Sequence, residues 1–218
     1  MAELKTEEEQ LEAIKRWWKE NGTSLIAGVV IAAAGVFGWN AWQDYQAGQA
    51  EAASMRYQQL LDLSGQEDLD EPTRQRANAL VDEITDEHGD TLYAELAQLL
   101  DARLAIDAGD RDGARAALEA LIEGSQRDYL SGLARLRLAR LQLAEGRPAA
   151  ALSTLEGVPE TLAAQRADAQ GDAQHALGHE ERARDAWRKA LSLADDRGQP
   201  LYGVQLKLDD LGNEEATL

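Results

Sequence analysis

Cysteine is absent from all 218 residues, which excludes a disulfide framework, a thiolate nucleophile and any metal site built on thiolates. That absence suits an oxidising compartment as well as a reducing one. Proline occurs four times and phenylalanine once. Strand-favouring runs of Val, Ile and Thr are nearly missing, and the apolar content is mostly Ala and Leu, residues that favour helix. Lysine is confined to positions 5, 15, 19, 189 and 207. The formal charge of -18 argues against nucleic acid as a partner, because that binding rests on neutralising phosphates. These scarcities describe an all-α chain, long enough for one ordinary domain and an appendage.

Charge is missing locally as well. From Asn21 to Gln43 the run NGTSLIAGVVIAAAGVFGWNAWQ holds 23 residues and no ionisable side chain. A helix crossing the hydrocarbon core needs about 20 predominantly apolar residues, so the run predicts one transmembrane helix over 23–43. Gly28, Gly35 and Gly38, with neighbouring alanines, form a smooth face of ordinary membrane-helix composition. Four of the five tryptophans flank it: Trp17 and Trp18 before, Trp39 and Trp42 after, with Tyr45 beside the second pair. Amphipathic rings favour the headgroup level, so two such belts are expected of a spanning helix and these five residues of the membrane interface.

The segment before the run is about 20 residues long with six acidic side chains, unlike the short basic leader of a cleaved signal peptide. Small residues near Ala47 to Ala52 offer a cleavage site only beyond the second aromatic belt, so a retained anchor is expected. Lys15, Arg16 and Lys19 closely precede the run, and the first basic residue after it is Arg56. Basic residues near the ends of a span stay in the cytoplasm, so these three set the topology. Residues 1–22 are expected to be a cytoplasmic amphipathic segment, and residues 44–218 an exported, periplasmic domain. The sequon Asn21-Gly22-Thr23 then lies at the cytoplasmic edge and carries no glycan. Within the first segment, Thr6 and Glu9 fit a capping box. Leu11, Ile14 and Trp18 share one helical face, and Asn21-Gly22 predicts a bend into the span.

After the membrane the spacing predicts continued helix through AEAASMRYQQLLDL, with Met55, Leu60, Leu61 and Leu63 as apolar positions. Pro72 suits the first turn of the next helix, which carries Ala77, Leu80, Val81 and Ile84 on one face and ends at Gly89. The acidic stretch EDLDE lacks the spacing and glycine of a calcium loop and reads as a solvated connection. Beyond residue 91 the chain repeats itself. Three segments align on Gly109, Gly146 and Gly178, at intervals of 37 and 32 residues. A small residue stands seven positions before each glycine (Ala102, Ala139, Gly171), an alanine five after (Ala114, Ala151, Ala183) and a large apolar residue nine after (Leu118, Leu155, Trp187). Glycine closes a first helix at a sharp turn, small residues let the antiparallel partner approach, and the large residue fills the groove beside them. One such pair cannot bury its apolar face, so pairs stack into a solenoid. This is similar to the tetratricopeptide repeat in degenerate form, with Gln98, Arg135 and Ala167 at the bulky first-helix positions. Three to four pairs are expected, one irregular over residues 50–90, with PLYGVQLKLDDLG as a capping helix.

Chemistry is scarce. His175 and His179 stand four apart with Glu180 and Glu181 following, the spacing of two metal ligands on a helix, and a metal-dependent hydrolase using His175, His179 and Glu180 is the enzymatic reading. Gly178 stands between the two histidines at a hairpin turn, and no third His or Cys is near. No G-x-S-x-G, phosphate-binding loop or H-E-x-x-H is present. The sequence therefore predicts a protein without catalytic, metal or cofactor sites, acting through its repeat groove. From residue 44 onward, 34 acidic and 18 basic side chains leave a net charge of -16, a solubility feature or a field that steers a basic partner.

The segment LEAIKRWWKENG, the span with GW and AW at its far end, and the degenerate repeats behind it resemble the YfgM-like family of ancillary subunits of the bacterial SecYEG translocon. Glu12, Ala13, Lys15, Arg16, Glu20, Asn21, Gly22, Gly38, Trp39 and Trp42 fit the family's pattern. The likeness covers essentially the whole chain and is most specific over the first 45 residues. It implies a single-pass protein of the bacterial inner membrane, with its N-terminus cytoplasmic and its repeat domain in the periplasm. It further implies a place beside the export channel, linking it to periplasmic chaperones such as the membrane-anchored PpiD-type foldase. A repeat scaffold for another envelope assembly, such as outer-membrane biogenesis, is the alternative within the same interaction class.

Overall fold

A computed structural model describes residues 7–65, 69–196, 198 and 200–212, and it is helical with no strand among the described residues. The helices are α1 (Glu7–Ser64), α2 (Glu71–His88), α3 (Leu92–Asp107), α4 (Arg111–Gly124), α5 (Asp128–Ala144), α6 (Pro148–Leu155), α7 (Ala163–Ala176), α8 (Glu180–Asp196) and α9 (Val204–Asp210), with a 3-10 turn (Glu160–Leu162) before α7. The chain divides into two compact units between Glu51 and Ala52.

The first unit is the leading part of α1. Leu25, Ile26, Val29, Val30, Ile31, Val36 and Phe37 are all exposed on it. A core helix of a soluble domain buries such side chains, so this exposed apolar helix is a candidate membrane span. At Asn21-Gly22, where a bend into the span is expected, α1 runs through both residues as unbroken helix. Asn21 turns its amide back onto the Trp17 carbonyl at 3.1 Å, and the Trp18 indole lies against Gly22, where a Cβ would meet the ring at 3.3 Å. Both residues are absorbed into the helix rather than ending it. Thr6, half of the expected capping box, lies outside the described residues.

The second unit begins with the end of α1, where Ala53 and Leu60 are buried and Tyr57 packs beside them. Of the apolar positions here, Met55 and Leu61 are exposed, because the inward face runs through buried 53, 60 and 64 and half-buried 57. Arg56 pairs with Glu83 and Glu87, tying this segment to α2. Glu67 and Asp68, the start of the acidic stretch, lie outside the described residues. Its last aspartate, Asp70, caps α2 by accepting the Thr73 amide at 2.9 Å, and Pro72 occupies the first turn.

From α3 onward the helices form antiparallel pairs: α3 with α4, α5 with α6, α7 with α8. The core is a series of clusters rather than one centre. Leu104 of α3 packs in a group with Leu60 and Ile84, while Leu99 and Ala102 of the same helix join Leu118, Leu121 and Leu138. In α5, Leu138 faces that group and Leu136 and Ala139 face the next, with Leu155 and Ala173. Each first helix is thus apolar on two sides, whereas α4 and α8 each bury a single stripe. A first helix lies between two neighbours, which is how a solenoid joins its repeats. At the end, α9 covers the last pair with Val204 buried beside Ala183 and Trp187.

Candidate interaction surface

The three aligned glycines have one backbone geometry. Gly109, Gly146 and Gly178 take φ of 77°, 72° and 76°. In each turn the amide after the glycine donates to a carbonyl five residues back: Asp110 to Ala105 at 2.8 Å, Arg147 to Gln142 at 2.8 Å, His179 to Gln174 at 2.9 Å. Each glycine's own amide donates three residues back, to Ile106, Leu143 and His175. This double closure satisfies carbonyls left open at a helix end and needs a left-handed residue, which glycine adopts without steric cost.

The aligned packing positions are buried throughout. Ala114, Ala139, Ala151, Leu155 and Ala183 are fully buried, Ala102, Leu118 and Trp187 nearly so, and Gly171 is buried with them. In the third pair a Cβ on Gly171 would collide with the Trp187 indole. The first two pairs combine alanine with leucine; the third combines glycine with tryptophan. The loss of a methyl on one helix is matched by a larger ring on the other.

That indole anchors a polar cluster. Trp187 Nε1 donates to Asp172 at 3.1 Å, and Lys207 Nζ from α9 reaches Asp172 at 2.6 Å and Asp168 at 2.7 Å, lying 5.8 Å from the Trp187 ring centre. Burial works against the Lys207 charge, but the hydrogen bonds it donates to Asp168 and Asp172 outweigh it and hold its pKa above its ordinary value. Elsewhere Glu95 receives Ser125 Oγ at 2.8 Å and the Arg127 guanidinium, and Arg115 joins Asp112 to Glu145. These pairs fix one hairpin against the next.

The two histidines do not converge. His175 packs against Trp187 with ring centres 5.7 Å apart, while His179, beyond the turn, meets Gln174 at 2.9 Å through Nδ1. Gly178 has ended the helix between them, and no group of three or more potential ligands is poised for a metal ion among the described residues. On α1, Trp17, Trp18, Trp39, Trp42 and Tyr45 are all exposed, and the Trp39 and Trp42 rings are 5.1 Å apart. Lys15, Arg16 and Lys19 are exposed on the turns around Trp17 and Trp18.

A cavity of about 450 Å3 opens between α3, α4 and α5, floored by Leu118 and Leu141 and edged by Ile106, with Arg103, Arg111, Arg137 and Arg140 around it. Arg137 is half-buried and donates Nη1 to the Leu99 carbonyl at 2.7 Å. Burial first, then the charges of Arg140 and Arg103, lower its pKa. A signal existed: from Leu130 to Ala144 there are three arginines and no acid, in a chain where acids outnumber bases 40 to 22.

An apolar helix followed by stacked antiparallel pairs with glycine closures and a terminal cap defines a tetratricopeptide-like repeat protein. The tetratricopeptide repeat-like domain family model matches residues 15–213. Similar proteins named ancillary SecYEG translocon subunit occur in Aggregatibacter actinomycetemcomitans (36% identity, 97% of this chain and 100% of the relative) and Haemophilus influenzae (32%, 94% and 97%). A third, in Escherichia coli, is 32% identical over 94% of this chain and 96% of its own. This chain belongs to that tetratricopeptide repeat-like family of ancillary SecYEG translocon subunits. No solved structure matches it.

Proposed function

We propose that this protein is a non-enzymatic, membrane-anchored scaffold that associates with the protein-export translocon and holds periplasmic chaperones near it through its helical repeats. The observation that carries this reading is the union, in one chain, of an exposed apolar helix and a stacked repeat domain, in a family whose relatives are named for the SecYEG translocon. Residues 23–43 of α1 span the inner membrane. Trp18 and Trp39 are 21 residues apart, about 30 Å along a helix axis, which is the thickness of the hydrocarbon core. Trp17 and Trp18 then occupy one interface, and Trp39, Trp42 and Tyr45 the other. Lys15, Arg16 and Lys19 keep residues 1–22 in the cytoplasm, and residues 44–218 enter the periplasm. The buried residues at the aligned repeat positions hold the scaffold's pairs together and leave its surface for partners. A membrane-anchored chaperone of PpiD type, implied by the family resemblance, is the finer partner assignment.

Crosslinking in intact membranes followed by mild-detergent purification of the tagged chain tests the association. Channel subunits should be recovered together with a periplasmic chaperone. Recovery of a chaperone without channel subunits, or of neither, overturns the translocon assignment.

A further inference from the structure

The overall charge of -18 makes the cavity between α3, α4 and α5 anomalous. Four arginines line it, and among the described residues the carboxylate paired with any of them is Asp107, 3.6 Å from Arg103 on an exposed stretch of α3. Arg111, Arg137 and Arg140 carry no ion pair to a described carboxylate. Such a cluster is electrostatically costly to assemble, and burial of Arg137 beside Arg140 and Arg103 adds to the cost. The folded unit holds it because the floor beneath is sound core: Leu118 and Leu141 are almost fully buried. Ile106 stands nearly half exposed at the edge, ready to be covered.

We propose that this groove docks an acidic segment of a partner polypeptide, seating an aliphatic side chain on Leu118, Leu141 and Ile106 and its carboxylates on the arginine rim. The proposal rests on the reading of the chain as a scaffold and names the site and chemistry by which it holds a partner. Charge complementarity selects the occupant. A planar guanidinium takes a carboxylate through two parallel hydrogen bonds, and four of them in a strongly acidic protein attract the one class of segment the remaining surface repels. An aliphatic anchor in a pocket ringed by charge is the usual division of labour at an interface, apolar centre and polar rim. The cations come from all three helices framing the apolar floor, whereas an anionic lipid needs them gathered at one end of a long apolar slot.

The test is fluorescence anisotropy with the full chain in an uncharged detergent and a labelled peptide, EELLDEIFEE. The same peptide with every acid replaced by lysine, and with every apolar residue replaced by serine, are the controls. The acidic amphipathic peptide should bind, with affinity falling as salt rises, and both controls should bind about tenfold or more weakly. The double variant Arg111→Glu, Arg140→Glu changes two exposed side chains without carboxylate partners and should weaken binding about tenfold or more, whereas Lys189→Glu on α8 should leave it within about twofold. Ile106→Ser should also weaken it, by about fivefold. Equal binding of the lysine peptide, or indifference to the arginine reversals in a variant with unchanged circular dichroism, overturns the proposal. Displacement of the peptide by phosphatidylglycerol vesicles would make this a lipid site, and tightening on truncation after Gly212 would give the groove to the chain's own acidic tail. Either outcome also overturns it. Failure of peptide binding with recovery of channel subunits from membranes would leave the translocon reading standing and remove only this site.

Discussion

Gly171 and Trp187 are a pair that single-residue reasoning separates. Glycine inside a helix costs about 1 kcal/mol relative to alanine, so Gly171→Ala ought to help. In the folded unit its Cβ would enter the Trp187 indole, and overpacking of this kind costs about 1–3 kcal/mol. Gly171→Ala should therefore destabilise, and adding Trp187→Leu, which recreates the alanine-leucine pairing of the first two repeats, should recover part of the loss. Chemical denaturation of the four members of this cycle measures the coupling, and simple additivity would refute it. The glycines at the turns are a separate case. Gly178→Ala retains the helices on both sides but forces a left-handed residue with a Cβ, at roughly 1–2 kcal/mol. Gly124→Ala, at the end of α4 with open space around it, should be neutral to mildly stabilising.

Among the elements, α9 depends most on a few side chains. It has seven residues, too few for independent stability, and is held by Val204 and by the Lys207 contacts to Asp168 and Asp172. Because the folded pKa of Lys207 is raised, its contribution is fully present below the ordinary lysine value of 10.5 and is lost as pH rises through the higher folded value. The protection of α9 amides, measured as exchange relative to the intrinsic base-catalysed rate at each pH, should fall in that alkaline window. Lys207→Arg should abolish the pH dependence, since a guanidinium stays charged there. Lys207→Met should loosen α9 at every pH by leaving two carboxylates without their cation. Identical alkaline behaviour in wild type and Lys207→Arg would refute the assignment. The helix pairs were legible for a physical reason: the turn that closes each one requires glycine, and a required residue leaves a fixed mark at Gly109, Gly146 and Gly178. At Asn21-Gly22 the helix continues although both residue types favour helix ends. Asn21 satisfies its own turn, and Gly22 makes room for Trp18.

At the scale of the whole molecule the testable claim is topology. With residues 44–218 exported, a phosphatase fused after residue 60 should be active, and the same reporter fused before Leu11 silent. Replacing Lys15, Arg16 and Lys19 together by glutamine removes the basic side chains nearest the span and should lower the activity of the distal fusion as a fraction of chains insert the other way. An unchanged distribution would assign orientation to some other feature.

The sequence alone determined that the chain is helical, that it carries one uncharged stretch long enough to span a bilayer, and that three hairpins follow in register. Each is written in local periodicity or in a residue type that a backbone geometry demands. The tertiary structure decided which side of each first helix meets which neighbour, and so set Arg103, Arg111, Arg137 and Arg140 around one apolar cavity. No local pattern encodes that meeting. It arises because α3 and α5 are apolar on two sides, and only packing against α2, α4 and α6 settles which of their remaining positions face one another across the groove.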